Sequence, residues 1–164
     1  EPKRFITYIE EEELRVLDVI LTHHHHDHVG GAEKLRDYFS CPVMMHEQDA
    51  FLYRRPVDRL LRDGDELDLD GETLRVYHTP GHTRGSICIL SEKSKVVFTG
   101  DTIFDTDLGR TDLPDGSPRD MIHSCRDVIN KWSNAYTIYP GHDGSATMKQ
   151  VRQYNQEFLD CLGK

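Results

Sequence analysis

Hydrophobic and polar residues recur along this chain with two different periods, and the changes from one to the other mark its elements. Pro2, followed by Lys3-Arg4-Phe5-Ile6-Thr7-Tyr8-Ile9 and an acidic run, predicts a helix with proline in the first turn, where its missing N–H costs nothing. Residues 16–21 (VLDVIL) read as a short, mostly apolar strand ending at Thr22. A histidine-bearing loop and Gly30-Gly31 lead into a helix near 32–39. Residues 42–45 read as another short strand, followed by an irregular or helical stretch over 48–61. Residues 65–78 alternate with a period of two on either side of Asp70-Gly71, which is a strong hairpin signal. A second pair, 86–90 and 96–99, turns around Glu92-Lys93. Ser117-Pro118 opens a helix to about Trp132, as N-cap and first-turn proline. Residues 136–139 form a strand and 146–161 the last helix.

Length and composition narrow the classes. A chain of 164 residues fits one domain, 1–164. Its 29 acidic residues against 20 basic ones give a net charge of −9. That disfavours nucleic acid, an RNA-processing role included, and anionic membranes, because phosphate contacts depend on clustered Lys and Arg. No apolar run is long enough to span a membrane, and no basic start followed by an apolar stretch marks a signal peptide. Cys41, Cys88, Cys125 and Cys161 lie 36 or more residues apart with no C-x-x-C pair, which predicts free buried thiols in a reducing cytoplasm. Of ten histidines, five fall within residues 23–28, the first sign of metal chemistry.

Each chemistry-bearing loop follows the end of a predicted strand: His23 after Leu21, His82 after Tyr77, Asp101 after Phe98, His142 after Ile138. Loops delivered to a common rim can converge. In Thr22-His23-His24-His25-His26-Asp27-His28, alternate side chains of an extended backbone share a side, so His23 and His25 can grip one cation. The chain then turns, and Asp27 with His28 can reach a second. His24 and His26 point the other way, to a pocket or the surface. A purification tag is the bland alternative, but this run is internal, broken by Asp27 and fixed between a strand and Gly-Gly. Imidazole with carboxylate suits Zn²⁺, Fe or Mn²⁺ rather than Ca²⁺. Pro80-Gly81 before His82 and Pro140-Gly141 before His142 describe turns that aim a ligand. Asp101, after an apolar strand and a glycine, is expected to be buried, and a buried carboxylate needs a partner. His46 reads as structural or surface, His78 as a hydrogen-bonding support for the pocket, and His123 as solvated. Arg110 can receive a substrate carboxylate or make a surface salt bridge; the sequence leaves both open.

His23-x-His25-x-Asp27-His28 resembles the H-x-H-x-D-H signature of the metallo-β-lactamase superfamily. The likeness continues through His78-Thr79-Pro80-Gly81-His82-Thr83, Phe98-Thr99-Gly100-Asp101-Thr102 and Tyr139-Pro140-Gly141-His142. Gly100-Asp101-Thr102-Ile103-Phe104 with Gly109-Arg110-Thr111-Asp112 is similar to the short bacterial members of the glyoxalase II-like branch. The resemblance implies an α+β fold, an αββα sandwich. It implies two divalent metal ions, Zn with Fe or Mn as substitutes. His23, His25 and His82 would hold the first, Asp27, His28 and His142 the second, and Asp101 would bridge them. The implied activity is hydrolysis by a metal-bound hydroxide held near Asp27 and Asp101, on a thioester such as a 2-hydroxyacyl-glutathione. The alternatives are a persulfide dioxygenase-like enzyme with a single iron, since Gly109-Arg110-Thr111-Asp112 is similar to that branch too, or an inactive metal-binding fragment that needs a partner. Only about 22 residues precede His23, so the N-terminal strands and an Asp-Pro-Gly turn that the resemblance implies are expected to be missing. Self-association along the exposed sheet edge is then expected. The C-terminal helical domain of full-length glyoxalase II, with its glutathione contacts, is expected to be absent.

Overall fold

A computed structural model describes residues 2–164. Its first sheet is parallel, in the order β1 (Val19–Leu21), β2 (Val43–His46), β3 (Arg59–Leu61). The second runs in chain order through β4 (Glu66–Leu69), β5 (Glu72–His78), β6 (Ile87–Ser91), β7 (Val96–Gly100), β8 (Thr137–Pro140) and β9 (Ala146–Thr147). Its pairs are antiparallel except β7 with β8. The helices are α1 (Pro2–Glu11), α2 (His26–Val29), α3 (Ala32–Phe39), α4 (Glu47–Tyr53), α5 (Pro118–His123), α6 (Met148–Tyr154) and α7 (Gln156–Cys161).

Three apolar clusters define four layers. Ile20, Met44 and Leu61 of the first sheet meet Leu67, Leu74, Val76, Ile87 and Ile89 of the second, so the sheets lie face to face. On the far side of the first sheet, Leu21, Val43 and Met45 pack on Val29, Ala32 and Tyr53. On the far side of the second, Cys88, Leu90, Val97 and Ile138 pack on Met121, Cys125, Ile129, Val151 and Phe158. This is an αββα sandwich. β2 and β6 are buried at every position, having a core on both faces, which is why each reads as an unbroken apolar run.

The two-residue hairpin loop is Asp70-Gly71, both at positive φ (52° and 86°), between the paired Leu69 and Glu72. Ser117 caps α5 by accepting from the Asp120 N–H. Three expectations need correction. The stretch 48–61 holds a helix and then a third strand; β3 escaped notice because Arg59 and Leu60 are exposed and only Leu61 is buried. The helix from Ser117 is α-helical only to His123, then π-helical over Ser124–Val128 and 3₁₀ over Ile129–Lys131. Its buried residues Met121, Cys125 and Ile129 are spaced by four, which drifts about 40° per step in an ideal α-helix. A wider turn keeps them on one face. The last helix is two helices preceded by β9. Asn155 breaks it, because its Nδ2 donates to the carbonyls of Phe104 and Asp107 (3.1 and 2.7 Å) while its Oδ1 caps α7.

Among the described residues β1 has a strand partner on one side only, leaving an edge. Beside it a cleft of about 520 Å³ opens between Phe5, Ile20, Leu74, Ile89, Phe98 and Tyr139. Among the described residues all four cysteines are free, and no helix is long and apolar enough to cross a membrane.

Candidate metal centre

β1, β5, β7 and β8 each end at the same rim, and the turn after each carries a candidate ligand: His23, His82, Asp101 and His142. His25 is the N-cap of α2, so the chain leaves extended geometry there and re-aims Asp27 and His28. Gly141 approaches the centre so closely that a β-carbon there would collide with Asp101 Oδ1 and lie 2.5 Å from His28 Cε1.

Among the described residues four sets of three ligand atoms converge; His23–His28–Asp101 and His24–His25–Asp115 are two of them, and the other two separate into an inner and an outer group. His23, His25 and His82 bring a nitrogen each within 4.8 Å of one another, and an Asp27 carboxylate oxygen meets nitrogens of His28 and His142 within the same distance. His25 Nδ1 faces His82 Nε2 at 2.9 Å, and His28 Nε2 faces His142 Nε2 at 3.2 Å. Asp101 Oδ2 lies between the groups, 3.9 Å from His23 Nε2, 3.6 Å from His82 Nε2, 3.3 Å from His28 Nε2 and 3.4 Å from His142 Nε2. Asp27 Oδ2 is 3.1 Å from His142 Nε2 and 3.4 Å from His28 Nε2.

The fit to a cation can be tested on these contacts. His82 Nδ1 donates to the Arg110 carbonyl at 2.9 Å, so in the neutral ring Nε2 turns a lone pair to the centre. His23 Nδ1 lies 3.1 Å from Thr22 Oγ1, which leaves Nε2 to the centre as well. His23 Nε2 and Asp101 Oδ1 are buried without a hydrogen-bond partner. Orphaned buried acceptors are costly and rare, and lone pairs converging from imidazoles and a carboxylate are the ligand set of a Lewis-acidic cation. The residues present fit a divalent metal cation.

Electrostatics divide the two groups. Burial, with the neighbouring rings of His28, His82 and His25, pushes the His23 pKa far down. Burial and His82 lower that of His25 too. Both stay neutral and able to ligate. Burial also opposes charge on His28, but the carboxylates of Asp101 and Asp27 outweigh it and raise its pKa. For Asp27, slight burial is outweighed by a backbone N–H and by His28 and His142, which hold the carboxyl below its usual range.

The other predicted residues fall outside the centre. The Arg110 side chain pairs in solvent with Asp112, Nε to Oδ1 and Nη2 to Oδ2, each 2.7 Å. His46 is buried, accepts from the Gln48 N–H as N-cap of α4 and stacks on His78 at 4.1 Å. His78 in turn hydrogen-bonds to the Arg84 carbonyl. His123 is exposed beside Asp127, and His26 is exposed. His24 turns away from the centre to Asp49 and Asp115. A groove of about 520 Å³ runs beside His24 and His25 between Phe51, Leu52, Leu113, Pro114 and Arg84. Neither Asp49 nor Asp115 could be found from spacing, because their shared partner His24 lies far off in the chain.

Comparison with known proteins places the fold in a family. Residues 1–142 match the family model of the metallo-beta-lactamase superfamily. The hydroxyacylglutathione hydrolase GloC of Haemophilus influenzae is 34% identical, over 94% of this chain and 82% of that protein, in keeping with a glyoxalase II-like branch. The crystal structure of the BLEG-1 B3 metallo-beta-lactamase superimposes with a TM-score of 0.90 at 30% identity, covering 94% of this chain and 83% of that one. TTHA1623, crystallised in a di-iron-bound form, gives 0.85 at 28%, covering 94% and 84%. With a family match over most of its length, a centre of the expected residues and a four-layer sandwich to hold it, this chain belongs to the metallo-beta-lactamase superfamily.

Proposed function

We propose that this chain is a hydrolase acting on thioesters of the 2-hydroxyacyl-glutathione class, with two divalent cations, Zn²⁺ or alternatively Fe or Mn²⁺, shared between the histidine groups. The observation that carries the reading is Asp101 Oδ2 lying within 3.3–3.9 Å of nitrogens from both groups, where one carboxylate can serve two cations. Two positive charges some 3.5–4 Å apart need such a bridge. Bound there, the cations would supply Lewis acidity and an activated water at neutral pH. His23, His25 and His82 hold one, and Asp27, His28 and His142 the other. Asp27 and Asp101, the two carboxylates at the centre, would orient the activated water there. No Ser or Cys nucleophile is required, and the Cys88 thiol is pushed up to about 11 by burial.

The groove beside His25 suits the rest of such a substrate. Phe51 and Leu113 give it an apolar wall, and Arg84 gives it a cation for a carboxylate. Arg110, the other candidate, is engaged with Asp112. The relative named as a hydroxyacylglutathione hydrolase supports the substrate class. Self-association along β1 belongs to the same reading, since an unpaired edge beside an apolar cleft invites pairing. Light scattering would show a dimer; a monomer at high concentration would remove that part. Elemental analysis of the purified chain, run beside a panel of thioesters, lactones and glutathione persulfide, tests the whole. Close to two ions per chain and chelator-sensitive thioester hydrolysis are expected. One ion with turnover of the persulfide alone would overturn the reading.

A further inference from the structure

We infer that Asp49, buried behind the His23–His25–His82 group, is a positioning residue that fixes two ligand-bearing loops to each other. This rests on the metal-binding reading above. Asp49 is fully buried in the first turn of α4 and is not itself within the centre. Its Oδ2 accepts from the His24 backbone N–H (2.8 Å), from His24 Nδ1 (3.0 Å) and from Thr83 Oγ1 (2.8 Å). Its Oδ1 accepts from the Gly85 N–H (2.6 Å).

The partners matter by where they sit. The His24 amide lies between His23 and His25, so holding it sets the peptide planes from which both imidazoles project. Thr83 directly follows His82, and Gly85 ends the same turn. One carboxylate therefore ties the β1 loop to the β5–β6 turn, the two sources of the inner ligands. The packing leaves no slack: a β-carbon on Gly85 would sit 2.5 Å from both the N and the Oδ1 of Asp49. A buried carboxylate without partners would be strongly destabilising, whereas four donors satisfy this one. Asparagine cannot replace it, because its amide nitrogen would have to face either the Gly85 N–H or the three donors on Oδ2. The ring of His24 completes the brace, its Nε2 lying 3.5 Å from Asp115 Oδ2.

Cobalt(II) serves as the probe, since its visible spectrum reports ligand geometry without any turnover. In Asp49→Asn the Co²⁺ bands should shift, and release of Co²⁺ to EDTA should accelerate about 10–100-fold, the usual cost of losing an outer partner of a ligand. Phe158→Leu, in the core on the opposite face of the second sheet, serves as the control for plain loss of stability. It should melt earlier yet keep the wild-type spectrum and release rate. Thr83→Val, which removes one of the four donors to Asp49 together with the contact of the same hydroxyl to Ser86 Oγ, should show the same effect in smaller measure and decides the matter if Asp49→Asn fails to fold. A wild-type spectrum and release rate in the folded Asp49 variant, or in Thr83→Val when the former is unfolded, would overturn the inference. So would a Phe158→Leu variant that releases cobalt equally fast. Failure of the wild-type chain to bind Co²⁺ at all would overturn the metal-binding reading and this inference with it.

Discussion

The His23 and His82 side chains are 1% and 5% exposed, while those of Asp27 and His142 are 58% and 51% exposed, although all four lie around the same carboxylate. The inner group is braced from behind: Thr22 beside His23, the Arg110 carbonyl on His82, Asp49 on the backbone between His23 and His25. The outer group has two exposed members, and its ligands are steered mainly by one another and by Asp101. Burial and bracing are what keep imidazoles neutral and preoriented, and exposure is what lets water and substrate approach. The inner group is thus fixed and the outer group accessible.

The largest effect should come from breaking the fixed half. His25→Ala or His82→Ala should lower metal affinity by more than the roughly 10–100-fold cost of removing an outer-shell partner, and should abolish thioester hydrolysis. Titration with a competing chelator measures the first, and a variant with wild-type affinity would refute the inner assignment. Next comes the accessible half. His142→Ala should lose about one metal ion of two by elemental analysis, while the remaining ion resists chelator. Gly141→Ala should do the same without removing any ligand, because its methyl group enters the space of Asp101 and His28. If both ions vanish together, the halves are not independent.

A smaller effect sharpens the comparison on the substrate side. Arg84→Met should raise KM about tenfold, roughly 1.4 kcal/mol, for a thioester bearing a carboxylate, with kcat little changed. Arg110→Met should leave KM unaltered. The reverse pattern would move the carboxylate site to Arg110.

The last prediction concerns His46, which lies outside the centre and leaves metal and substrate binding untouched. Burial and its stack on His78 depress its pKa to about 4 from an ordinary value near 6.5. Between those values the unfolded chain binds the proton and the folded chain does not, so stability rises with pH across that window. As pH falls through it, protonation also removes the acceptor that caps α4. A loss of about 3 kcal/mol is expected, by urea titration of chelated protein. His46→Gln should flatten that slope, and an unchanged slope would assign it to another group.

The sequence by itself went far toward the residues that gather at the rim. The alternation in His23-His24-His25, the glycine turns before His82 and His142, and the placement of each behind a strand are local signals, and local signals survive in a one-dimensional pattern. The Asp70-Gly71 hairpin and the Ser117-Pro118 cap were legible for the same reason, since each is decided within four residues. β3 was not, because a short parallel edge strand with two exposed residues has no period of its own. The π-helical turn and the break at Asn155 were not, because each answers to a distant constraint: the face shared by Met121, Cys125 and Ile129, and the carbonyls of Phe104 and Asp107. Asp49 and Arg84 belong to the same class. Residue types near a turn can be read from the chain, but which carboxylate ends up behind which histidine, and which arginine borders the groove, are long-range facts. They are fixed only when two sheets pack and bring residues 24, 49, 83 and 85 within hydrogen-bonding distance.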